Sequence, residues 1–379
     1  MKIIVSKLAL EQAVVLLQKV INTKNTLPIL GDIMCMVSNK KLTMIASDSE
    51  VTMTTELTLD DHDGDGKFCV DGKKLKEALS QLTEQPLTIL ATTESDMTIT
   101  IEHQSGEVYF PIESADEFPL QPENKYIETL DEMDGSKIRD ALKRSLWATS
   151  DDNIVRPQMS GVNFSLNDGW LDIVTTDGHA MVLTKYNIID KVKANRCGSF
   201  TMPKKVANIV MANAGADPMD IEWNATYGHV KMWNCDITFR LIEGKYPNYR
   251  SIIPEDQTME AMVQRGALMN SLKKVIPFTN DSSCMIRLDF WPSSELTISG
   301  DDYDFGKGSS DKIHIDEFTA EPFSIGLKGS TLLSAIAKMD GTDVCLNMKD
   351  PTHAFTIEPA EPTEGQDILM LLMPMILND

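Results

Sequence analysis

A period of about 126 residues, met three times along 379, narrows most sharply what this chain can fold into. Phe118-Pro119, after the strand-like GEVYFPIE (106–113), recurs 128 residues on as Tyr246-Pro247 after DITFRLIE (236–243). Pro28 and Leu30 precede Pro157 and Met159 by 129. Strands that end in a turn at Asp, MIASD (44–48), DIVTTD (172–177) and LTISGD (296–301), place Asp48, Asp177 and Asp301 at offsets of 129 and 124. Helix-like segments keep the register. ALEQAVVLL (9–17), KIRDALKRS (137–145) and ALMNSLKKV (267–275) open the units, and DGKKLKEALSQL, MPKKVANIVMAN and KGSTLLSAIAKM lie midway. Between them run short alternating stretches bounded by Gly, Asn and Asp. The pattern predicts α+β architecture with antiparallel sheet. Its period exceeds the roughly 20–50 residues of solenoids, so the repeats are whole domains, 1–125, 126–254 and 255–379.

Charge is distributed as unevenly as structure is regular. The net charge of −22 argues against polyanionic partners for the chain as a whole. Helices are expected at 6–24, 72–82, 136–147, 203–213, 264–276 and 328–340. These hold 17 Lys and Arg against 4 acidic residues, leaving a net −35 on the remainder. Acid concentrates in turns such as Asp60, Asp61, Asp63 and Asp65, and between Glu113 and Asp134. Solvated lysines on scattered faces would give such helices too. Side-by-side packing of three units would instead line one face with positive helices, and closing that array gives a ring with a basic inner wall. Aromatics make up 6% and do not interleave with the cations, so phosphate attraction rather than base stacking is expected.

Local motifs exclude several chemistries. DHDGDG (61–66) fits the first EF-hand positions but meets Gly72 where a bidentate Glu is needed. GDDYDFGKGS (300–309) has five residues between its first glycines and Gly308 in place of Ser or Thr, which no phosphate loop tolerates. The six histidines are isolated in sequence and the six cysteines form no C-x-x-C pair, so neither a metal nor another cofactor is expected. Lys7 interrupts the only N-terminal stretch resembling a signal peptide, and no apolar run spans a bilayer. A cytoplasmic chain without membrane partners is expected. Two other classes stay open: an acidic, β-rich calcium-dependent binding protein, and a non-metal hydrolase whose site assembles from distant residues.

RPQMSGVNF (156–164), TTDGHAM (175–181), EGKYPNY (243–249) and the closing MPMILND (373–379), with NTLPILGDI (25–33), resemble the bacterial sliding clamp family, the beta subunit of DNA polymerase III. The resemblance spans essentially the whole chain. It implies a non-catalytic, head-to-tail homodimeric ring around duplex DNA that confers processivity. A clamp loader opens the ring, and the replicative polymerase, other polymerases and repair proteins dock through short peptides.

By resemblance, the partner-peptide pocket between the second and third domains takes Met159, Thr176, Gly178, His179, Met181, Pro247, Ile252, Met373, Pro374, Met375 and Leu377. The family often carries Arg where this chain has Ala180 and Ser251, so a less basic rim is expected. DNA contacts are expected from Lys24, Lys204 and Lys205 by resemblance, and from Lys73 through the repeat. Lys137, Arg139, Lys143 and Arg144 are added from the charge pattern. The resemblance places Val108 and Phe110 opposite Ile276 and Phe278 in the dimer interface.

Overall fold

The computed structural model of the chain describes residues 1–22, 27–93, 97–119, 125–152, 154–189, 197–316, 318 and 320–377. Two compact units result, Met1–Gly135 with Ala214–Leu241, and Ser136–Asn213 with Ile242–Asp379. Every strand pairing among the described residues is antiparallel.

In the first unit, one sheet of five strands runs from Asp61–Asp63 through Lys2–Ser6, Pro86–Thr92 and Thr98–His103 to Gly106–Pro111. A second sheet of eight strands joins early and late segments of the sequence where Val51–Thr58 pairs with Cys235–Arg240, Met53 lying opposite Ile237. The second unit holds an eight-stranded sheet in which Ala180–Asn187 pairs with Gln366–Leu372, Leu183 opposite Leu369. A four-stranded sheet ends on Lys307–His314. Pairing strands from different repeats satisfies edges that would otherwise present bare backbone groups.

Six α-helices are described: α1 (Lys7–Leu17), α2 (Gly72–Ser80), α3 (Gly135–Ser145), α4 (Lys204–Asn213), α5 (Arg265–Val275) and α6 (Gly329–Lys338). They fall two to each repeat, and their starts are chemically marked. The Ser6 hydroxyl accepts from the Ala9 amide, the Asp71 carboxylate from Lys73 and Lys74, and the Gln264 side chain from Ala267. Each satisfies first-turn amides that have no partner within the helix. The helix expected over 6–24 is shorter, ending at Leu17 where Gln18 caps it. Apolar faces of α5 and α6 bury Leu268, Leu272, Val275, Leu332, Ala335 and Ile336 against the sheets of the second unit.

The acidic segment 61–63 is a short edge strand paired with Lys2–Ile4, and the turn at Gly64, φ +82°, leads into Gly66–Asp71 of the other sheet, so it links two sheets rather than closing a hairpin. The 300–309 segment, by contrast, is a hairpin between Glu295–Asp302 and Lys307–His314.

Candidate functional site

Several of the residues expected to line a peptide pocket gather at the end of the strand Trp170–Thr176. The Asp177 carboxylate accepts from the His179 and Ala180 amides at 2.8 and 2.7 Å. Thr176 Oγ1 accepts from the Gly178 amide at 3.1 Å and donates to the Ala180 carbonyl at 2.7 Å. Gly178 takes φ +92°, a conformation that disfavours side chains, and a Cβ there would stand 3.5 Å from Met159 Cε. The turn therefore holds His179 out in solvent above a buried Met159.

Chain from elsewhere completes the rim. The Met373 amide donates to the His179 carbonyl at 2.8 Å, tying the C-terminal segment to the turn. Met181, opposite both Thr176 and Leu371, is fully buried with Val174, Leu183, Tyr246, Tyr249 and Leu371. It forms the floor beneath the connector 242–254 rather than an accessible wall. Burial pushes the Tyr246 phenol upward. Pro247 is half-buried and Ile252 exposed, so the connector presents apolar groups on either side of the buried Tyr249.

Two features depart from expectation. Leu377 lies against Gly326, in a cavity of about 330 Å³ lined also by Met285, Arg287 and Tyr303. The Met375 amide donates to the Gly326 carbonyl at 2.8 Å, which ties the tail to the strand Phe323–Lys328. Conversely, Arg156 was missed. Its guanidinium would stand 3.9 Å from a Cβ on Gly178, giving the rim a cation despite the buried Ala180. Its signal was available, because it opens the RPQMSGVNF motif.

Most of the expected DNA-facing cations stand on helices. Lys73 on α2 and Lys137 and Lys143 on α3 are exposed, while Lys204 and Lys205 on α4 are half-buried. Lys204 pairs with Asp151 at 3.1 Å and Arg139 with Asp140 at 3.0 Å. Arg139, Lys143 and Lys338 line a cavity of about 470 Å³ with Asn208, Trp147 and Met211, bringing cations of α3 and α6 together. Arg144 must be removed from this set. It is 3% exposed, donates to Thr184 Oγ1 at 3.1 Å and pairs with Asp340. A guanidinium so enclosed cannot meet a phosphate. Lys24 lies outside the described residues.

Val108 and Phe110 share one face of the edge strand Gly106–Pro111, both half-buried. Ile276 and Phe278 stand in the 3₁₀ turn after α5, Phe278 exposed and Ile276 packed on the core.

All six cysteines are free thiols, and burial pushes Cys69 and Cys235 up to about 12. Among the described residues no three His, Cys, Asp or Glu side chains are grouped to hold a metal, and no helix is long and apolar enough to cross a membrane.

Comparison with known proteins completes the picture. Three family models match in order: DNA polymerase III beta subunit, N-terminal domain, over residues 1–122; central domain over 132–248; and C-terminal domain over 250–376. The beta sliding clamp of Chlamydia muridarum is 24% identical over the full length of both chains, and that of Bacillus subtilis 21% over 99% of each. Among solved structures, the Pseudomonas aeruginosa sliding clamp bound to griselimycin superposes with a TM-score of 0.92 at 20% identity. The Helicobacter pylori beta clamp bound to a DNA ligase peptide gives 0.87 at 22%. Each covers 100% of both chains.

Proposed function

The chain belongs to the DNA polymerase III beta subunit family, and from that premise we propose how its own residues perform the work of a sliding clamp. The family is a non-catalytic processivity factor of DNA replication, with DNA and polymerase as partners. The observation that carries the finer reading is the agreement of three clamp domains with a confined positive charge: cations outnumber acids 17 to 4 on the six expected helical segments of a chain whose net charge is −22.

In this reading the domains divide as 1–125, 126–254 and 255–379, and two copies close head-to-tail into a ring. Gly106–Pro111 and Lys307–His314 are both sheet-edge strands, and Ile276–Phe278 packs beside the second. Edges of this kind are liabilities unless another strand covers them. Val108 and Phe110 of one copy then meet Ile276 and Phe278 of the next. Lys73, Lys137, Arg139, Lys143, Lys204 and Lys205 face the duplex. Their attraction is to phosphate alone, which leaves the ring free to slide because no base contact acts as a brake. A cytoplasmic setting, with a loader that opens the ring, follows from the same reading.

Partner peptides seat apolar anchors against Met159, Gly178, His179, Pro247, Ile252, Met373, Pro374 and Met375, above the buried Thr176 and Met181. Apolar anchors in a preformed groove suit exchangeable partners. Arg156 supplies the positive rim.

Retention of the loaded clamp on DNA tests the topology. Clamps loaded on a nicked circle should survive gel filtration and fall off when a restriction enzyme linearises it. Equal retention on both forms would refute the ring. Competition between griselimycin and a fluorescein-labelled octapeptide with Leu and Phe anchors tests the pocket.

A further inference from the structure

Asp172 is 1% exposed in the middle of the strand Trp170–Thr176, a costly place for a carboxylate unless donors meet it. Both donors come from the connector, 77 and 78 residues away. The Tyr249 hydroxyl lies 2.6 Å and the Arg250 guanidinium 2.7 Å from the same oxygen, Oδ2. Burial, followed by the bond to Asp172, pushes the Tyr249 phenol up to about 12, so at neutral pH it remains a donor. Across the sheet Asp172 stands opposite Ser165 and Lys185, and Lys185 pairs with Asp367 at 3.4 Å.

Strand periodicity puts Asp172, Val174 and Thr176 on one face. Thr176 forms the pocket turn, and Val174 lies under Tyr246 and Tyr249. On the connector, Pro247 and Ile252 flank Tyr249 and Arg250, and the Tyr249 amide bonds the Pro247 carbonyl at 2.8 Å. A single buried oxygen thereby ties the connector to the strand that carries the opposite wall.

We propose that Asp172 is a positioning residue for partner binding: through Tyr249 and Arg250 it fixes Pro247 and Ile252 against the Thr176–His179 turn without touching the peptide. The inference rests on the pocket reading above. Arg250 keeps 48% of its side chain exposed while one of its nitrogens is held by Asp172.

The test measures binding of the fluorescein-labelled octapeptide to full-length Asp172→Asn and Tyr249→Phe proteins, with amide hydrogen exchange followed in parallel. Asn keeps an acceptor for Tyr249 but loses the charge that holds Arg250. Phe removes one donor and leaves the ion pair. Affinity should fall about tenfold in Asp172→Asn and about threefold in Tyr249→Phe. Amides of 244–252 should exchange faster while those of Gly161–Asn167 stay as in the parent. Affinity within twofold of the parent in Tyr249→Phe, together with either an unfolded or a normally binding Asp172→Asn, overturns the proposal. Gly178→Lys is the control on its premise. If that change leaves binding intact, the pocket reading fails and the positioning role with it.

Discussion

Arg144 provides the sharpest test of how the helical cations divide between packing and DNA. Replacement by Met keeps an unbranched side chain of similar length, so little cavity is expected. What is lost is the bond to Thr184, a residue 0% exposed, together with the interaction with the Tyr186 hydroxyl and the pairing with Asp340. Leaving a buried hydroxyl without its partner costs about 1–3 kcal/mol. Asp340 is 59% exposed on its side chain and returns to water at little cost. The sum is about 2 kcal/mol, which for a folding unit of this size lowers Tm by about 4–8 °C. Thermal unfolding followed by circular dichroism reads the loss. Anisotropy of a labelled duplex across a salt series should show affinity and slope unchanged. Lys143→Ala, one residue away and exposed, should leave Tm within about 1 °C of the parent. A Tm for Arg144→Met equal to the parent's, combined with weakened DNA binding, would refute the assignment.

Neutralising Lys137, Lys143, Lys204 and Lys205 together should lower duplex affinity and flatten its salt slope by up to about four, whereas any single change leaves both nearly as they were. Charging Phe110 and Ile276 together, as Phe110→Glu with Ile276→Glu, should halve the mass read by light scattering; an unchanged dimer would remove these residues from the interface. Burial, with Glu113 and Asp71 adding repulsion, raises Asp32 from 3.8 to about 6. The folded state then holds a proton between about pH 4 and 6 that the unfolded chain has released, so ionising Asp32 destabilises the fold as pH rises through that window. Asp32→Asn should therefore stabilise at pH 7 by something on the order of 1 kcal/mol, discounted for its partial exposure, and be neutral at pH 4, as urea unfolding at the two pH values will show.

Much of this was written locally. Helix starts follow Ser6, Asp71 and Gln264 because capping involves atoms three residues apart, and the Asp177-Gly178 turn needs only its own side chain and a permissive glycine. Repetition of those local signals gave three domains with two helices each. The same counting could not separate Arg144 from Lys143, since a tally of charge along a helix does not record which face the sheet covers. Nor could it show that Gln366–Leu372 joins Ala180–Asn187, that the tail is tied to Phe323–Lys328 at Met375, or that Tyr249 and Arg250 reach Asp172. Strand partners and buried ion pairs are settled by which distant edges and donors remain unsatisfied once the chain is compact, and that is a property of the packed molecule rather than of any stretch of its sequence.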